Sequence, residues 1–217
     1  MREKVCVVTG ASRGIGLACA DAFASEGARL AVCASSSVPS VRADLSRRCD
    51  VSNGEQVGRF FAEAEALLGP PDVVVLNAGV LERAPIEEFT DEQFDRVVGV
   101  NLRGAFLCAR AAWKGLARTR GRLIGMGSIS GTLGTAEAAA YNASKWGLTG
   151  LVKSLAEEGR DASIFCAVVL PGSVDTDMLR KTPFDPQMTP GDVARVVRFL
   201  ADEAPFAMTG SAVEVFG

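Results

Sequence analysis

The chain has 217 residues, 48% of them apolar, which at about 150 residues per domain favours one large domain over two and supplies enough side chains for a full core without metal or disulfide staples. Twenty-three Lys+Arg against 26 Asp+Glu leave a net charge of −3 with no sustained basic run, which argues against nonspecific nucleic-acid binding. Histidine is absent, so imidazole bases, Ser-His-Asp triads and histidine-ligated metals are excluded, and no metal site is expected.

Short apolar runs alternate with helical spacing, the pattern of βαβ units around a parallel sheet covered on both faces. Strands are expected at 4–8, 29–34, 46–49, 72–77, 121–127, 163–170 and 212–216, the third being weak. Helices are expected near 14–26, 53–67, 91–117, 139–158 and 190–202. No linker divides the chain, so a single domain over 1–217 is the expectation. The six cysteines stand apart, without a CxxC pair, and read as small buried hydrophobes in a reducing cytoplasm. MREKVCVVTG meets a glycine turn before any long apolar run, so neither a secretory leader nor a membrane span is expected.

The first strand runs into Thr9-Gly10-Ala11-Ser12-Arg13-Gly14-Ile15-Gly16 at the head of a helix. Gly10 suits a tight turn, and Gly14 and Gly16 let backbone approach a pyrophosphate at the positive helix end. The spacing lacks the Lys-Ser/Thr close of a nucleotide-hydrolysing loop. The second strand ends in Ser35-Ser36 with no acid to hold a ribose diol. With Arg13 nearby, that favours NADP(H), the cation meeting an adenosine 2′-phosphate; the alternative is that Arg13 is a plain surface residue. Asp50-Val51 after the third strand meets an adenine edge or simply starts a helix. Asn77-Ala78-Gly79 closes the fourth strand with residues small enough to pass a cofactor. Asn101 interrupts the long helical segment 91–117, either as a bend or as a holder of water leading to Lys145.

Ser128, in GMGSISG, follows the fifth strand thirteen positions before Tyr141, the only tyrosine. Its hydroxyl can polarise a carbonyl, with Ser130 as competitor. Tyr141 and Lys145 lie four apart in a helical segment and share one face, where an ammonium favours the phenolate and equips the tyrosine for proton transfer. The alternative is a solvent-facing pair. The stretch 175–190 has the least periodicity and reads as a loop covering substrate or as a surface connection.

TGASRGIG, LNAG, the Asn101 segment, GSISG, YNASK and LPGSVDTDM stand in order along nearly the whole chain. Together they resemble the short-chain dehydrogenase/reductase family, and most nearly its 3-oxoacyl-(acyl-carrier-protein) reductase branch. The resemblance implies an α/β, Rossmann-like, doubly wound fold with a seven-stranded parallel sheet, in a homotetramer or homodimer. It implies an Asn101-Ser128-Tyr141-Lys145 tetrad: Asn101 supporting a relay water, Ser128 positioning the carbonyl, Tyr141 as acid/base, and Lys145 on the nicotinamide ribose. Pro171, Gly172 and Val174 would stand beside the nicotinamide, Thr176 at its carboxamide or the phosphates, with the pro-S hydride transferred. The implied activity is NADPH-dependent reduction of a 3-oxoacyl thioester, free or on acyl carrier protein, with a broad alcohol, hydroxy-acid or carbonyl oxidoreductase as the alternative. A cofactor-binding interaction protein without catalysis is the reading from another class. The chain is shorter than is usual in the family, and it ends TGSAVEVFG without the usual aspartate-glycine-glycine close.

Overall fold

The computed structural model describes residues 1–217. Seven parallel strands form one sheet: β1 (Val5–Thr9), β2 (Arg29–Ala34), β3 (Leu45–Arg48), β4 (Val73–Leu76), β5 (Arg122–Met126), β6 (Phe165–Pro171) and β7 (Ala212–Val215), in the order β3-β2-β1-β4-β5-β6-β7. This is the Rossmann-like α/β architecture. The strands VCVVT, VVVL and FCAVVLP are buried at every position because helices cover both faces. Helices α1 (Gly14–Ser25) and α6 (Pro190–Asp202) close one face over Phe23, Leu30, Val32 and Val197. On the other, α2 (Gly54–Leu68), α4 (Gly104–Thr119) and α5 (Ala139–Glu158) pack over Phe60, Leu116, Leu123 and Leu148. All six cysteines are unpaired and buried.

The expected helix over 91–117 is instead two helices in line, α3 (Asp91–Val98) and α4, joined by a π-helical turn at Gly99–Arg103. The physical reason is sideways anchoring. Asn101 is drawn inward by three hydrogen bonds, and Gly104 lies so close to Val51 that a Cβ there would stand 2.7 Å from its Cγ2. A widened turn satisfies both constraints, which a regular helix would not. The short β3 is one residue earlier than expected, and Arg47 and Arg48 are exposed on this edge of the sheet.

The N-terminal ends of the strands are fastened by side chains. Asp72 accepts from the Val5 N–H at 2.8 Å, Asp44 from the Leu30 N–H at 2.7 Å, and Arg122 donates to the Leu200 and Ala204 carbonyls at 2.8 Å each, closing the end of α6. The C-terminal ends open the other way. Strand order reverses at β1, leaving a crevice beyond β1 and β4 where ligands bind in such sheets.

Candidate active site

That crevice is a cavity of about 1400 Å³. Its floor is the turn after β1. Thr9 Oγ1 accepts from the Asn77 and Ala78 N–H groups at 3.1 and 3.2 Å, while Asn77 Nδ2 donates to the Thr9 and Gly10 carbonyls at 3.0 Å each. These bonds hold β4 so close that a Cβ on Gly16 would meet Asn77 Nδ2 and the Gly10 carbonyl oxygen at 2.3 Å. Gly10 and Gly14 adopt φ of +68° and +58°, which side chains resist. The first turn of α1 has no side-chain cap, so its N–H groups remain for an anion. A bare helix end beside a cradle that no side chain can enter fits a dinucleotide pyrophosphate.

Gly10, Ser12, Arg13, Gly14, Ile15, Gly16, Ser35, Asp50, Val51, Asn77, Ala78, Gly79, Pro171, Gly172, Val174 and Thr176 all line the cavity, as do Ser128, Tyr141 and Lys145. No acid stands at the end of β2, where Ala34, Ser35 and Ser36 form the wall. Arg13 is exposed, 3.7 Å from Asp177. One Asp50 oxygen accepts from the Ser52 N–H and hydroxyl at 2.9 and 2.7 Å, an Asx-type turn ahead of α2, whose cap is Asn53.

Ser128 follows β5 in extended backbone, and its Oγ accepts from the Ser130 N–H at 3.1 Å. Tyr141 lies in the first turn of α5. Burial pushes its phenol above the ordinary value, and the Ser128 hydroxyl opposes that shift. The phenol points at Met178 Sδ, 3.9 Å away on the 175–190 segment. Lys145, one turn along α5, is 4% exposed, and its ammonium donates to the Met126 carbonyl at 2.8 Å and lies 5.6 Å from the centre of the Tyr141 ring. Burial brings its pKa down to about 8. Tyr141 and Lys145 are therefore an inward-facing pair.

Asn101 lies behind the cavity wall, 1% exposed. Its Oδ1 accepts from the Val80 N–H at 2.8 Å, and its Nδ2 donates to the Val80 carbonyl and to Ser144 Oγ at 3.0 Å each. The side chain is thus taken up by protein partners, which leaves the main chain of the π-helical turn as the group able to face a water. Ser144 escapes sequence reasoning. It is fully buried, donates to the Tyr141 carbonyl at 2.7 Å and pins α5 to Asn101; its only sequence signal is a small polar residue on the inward face of YNASK. Met178 is a second omission, recognisable only once the 175–190 segment is seen folded over the phenol.

The segment 4–186 matches the model of the family described as short chain dehydrogenase. The chain belongs to the short-chain dehydrogenase family. It is 38% identical to the 3-oxoacyl-(acyl-carrier-protein) reductase MabA of Mycobacterium tuberculosis over 97% of this chain and 90% of that protein. It is 34% identical to an acetoacetyl-CoA reductase of Shinella zoogloeoides, over 99% and 98%. Among solved structures, the 3-ketoacyl-(acyl-carrier-protein) reductase of Brucella melitensis, complexed with NADH, superposes with a TM-score of 0.94 at 27% identity, covering 100% of this chain and 98% of that one. This short-chain dehydrogenase is an enzyme, an oxidoreductase using NAD(P)(H). None of its helices is long and apolar enough to cross a membrane.

Proposed function

We propose that this enzyme, one domain over its whole length, uses NADPH to reduce a 3-oxoacyl thioester to the 3-hydroxyacyl product. The observation that carries the reading is the convergence of Ser128, Tyr141 and the buried Lys145 at the glycine-turn cavity, whose other wall holds Leu81, Leu133, Leu179, Phe184 and Phe216. Both relatives above are named for 3-oxoacyl thioesters, which supports the substrate class. The NADPH preference rests on Arg13 and the acid-free end of β2.

The glycine turn and helix end would hold the pyrophosphate, Asp50 and Val51 the adenine, and Lys145 the nicotinamide ribose, with Pro171, Gly172, Val174 and Thr176 around the ring. When bound, the reduced nicotinamide supplies a hydride equivalent to the carbonyl carbon. Ser128 donates a hydrogen bond to the carbonyl oxygen and stabilises charge growing there. Tyr141 then gives that oxygen its phenolic proton. The Lys145 ammonium favours the phenolate left behind and so makes the tyrosine a stronger acid. A water at the main chain of Asn101 returns a proton toward Lys145. Met178 covers the phenol, so an incoming carbonyl displaces it.

The acyl group can arrive on acyl carrier protein or another carrier. Exposed Phe106 on α4 and Trp146 on α5 supply apolar contact for a homodimer or homotetramer in the cytoplasm. The test is the initial rate of NADPH and of NADH oxidation with acetoacetyl thioesters and with simple ketones. NADPH-dependent turnover of the thioester is expected; turnover of simple ketones alone overturns the substrate class and leaves a broad carbonyl reductase. Arg13→Ala should weaken NADPH binding more than NADH binding, and equal losses remove Arg13 from the argument.

A further inference from the structure

The end of β2 carries a cation that does not come from the glycine turn. Arg48 on β3 is paired in parallel register with Ala34, the last residue of β2. Its Nε donates to the Ser35 carbonyl at 2.8 Å, and Ser35 and Ser36 both line the cofactor cavity. A guanidinium offers five donors in a planar fork. That bond uses one, and the exposed terminal nitrogens have no carboxylate within ion-pair distance. The neighbouring Arg47 points to the opposite face of the strand, where its fork is taken by Glu63 of α2. Of two adjacent arginines, one fastens a helix and the other is held against Ser35, just outside the cavity lining that Ser35 and Ser36 form. Arg13, on the glycine turn, stands 3.7 Å from Asp177, a carboxylate that also accepts from Arg180 at 3.2 Å.

We propose that Arg48 is a specificity-determining residue for the cofactor. Its terminal nitrogens bind the phosphate on the adenosine 2′-oxygen, with the Ser35 and Ser36 hydroxyls beside it and Arg13 on the other flank. The inference rests on the NADPH reading above and adds a residue from β3 to it. A phosphomonoester dianion presents three oxygens, which suits two parallel N–H donors. The bond to Ser35 already orients the guanidinium, so less side-chain freedom is lost on binding.

Calorimetric titration of the full chain with adenosine 2′,5′-bisphosphate and with 5′-AMP tests this without turnover. The unaltered protein should bind the bisphosphate more tightly. Arg48→Met should weaken the bisphosphate roughly tenfold or more, the scale of one charge-assisted hydrogen bond, and leave 5′-AMP within about twofold. Arg48→Lys should recover part of the loss. Equal loss of both nucleotides makes Arg48 a brace for Ser35 and overturns the proposal, as does unchanged bisphosphate binding in Arg48→Met. If the unaltered protein binds both nucleotides equally, the NADPH reading fails and takes this inference with it. Discrimination between the two nucleotides that is undiminished in Arg48→Met defeats the inference alone, leaving Arg13 as the cation of the 2′-phosphate.

Discussion

The Lys145 ammonium donates its 2.8 Å hydrogen bond to the Met126 carbonyl from a side chain almost wholly withdrawn from water. No carboxylate faces it, so burial dominates and its pKa falls to about 8 from the ordinary 10.5 of a lysine. The unfolded chain therefore holds more protons than the native one between those two values, and native stability rises with pH across that window. Below it the burial penalty is fully present.

Lys145→Met removes that penalty. Its stability relative to the unaltered protein should decline by about 3 kcal/mol between pH 7 and pH 10.5, the size set by the shift. Denaturant unfolding of both proteins at the two pH values checks the sign. A difference independent of pH would mean that Lys145 is hydrated in solution.

With one tyrosine in the chain, phenolate absorbance in the ultraviolet reports on Tyr141 alone. Burial holds its pKa above 10 in the cofactor-free enzyme. Titration should give a midpoint above 10 that falls when oxidised dinucleotide brings positive charge near the ring. A free-enzyme midpoint below 10 would contradict the buried environment. Tyr141→Phe should keep dinucleotide affinity and lose about 10²-fold or more in reduction rate.

Ser128 and Ser144 both lie near Tyr141, but only Ser128 lines the cavity. Ser128→Ala should lower kcat about 10²-fold, on the scale of one lost oxyanion donor. Ser144→Ala should lower stability by about 1 kcal/mol, since Asn101 Nδ2 keeps its bond to Val80, and should change kcat less than tenfold. Steady-state kinetics with thermal unfolding of both variants separates the roles. A reversed ranking would remove Ser128 from the carbonyl contact.

Gly16→Ala places a methyl 2.3 Å from both Asn77 Nδ2 and the Gly10 carbonyl oxygen, atoms fixed by other bonds. It should forfeit dinucleotide binding, measured by fluorescence quenching, by at least tenfold. Gly150→Ala is the control. A Cβ at Gly150 in α5 meets nothing within 4 Å, and the helix gains from alanine.

The strands and most helices are legible in the sequence because full burial on both faces leaves an unbroken apolar run, as in VVVL, and helix periods lie between them. The glycine turn and the Tyr141-Lys145 pair are legible for a related reason: each depends on local spacing along one element. The break at 99–103 is not. Neither Gly99 nor Asn101 stops a helix by propensity, and the widened turn comes from Val80, Ser144 and Val51, which lie far away in sequence. Ser144, Met178 and Arg48 are hidden likewise, since each matters through a partner on another element. For Asn101, spacing finds the residue but not its bonds, which commit the side chain to Val80 and Ser144.

Because all seven strands run the same way, the Asp72, Asp44 and Arg122 clasps lie at the opposite end of the sheet from the cavity. Folding and substrate choice are thereby assigned to separate ends of the molecule. Randomised libraries confined to 82–83, 133–136 and 178–187 would reshape the cavity wall while leaving those clasps untouched, which makes the scaffold a practical starting point for evolving new oxidoreductases.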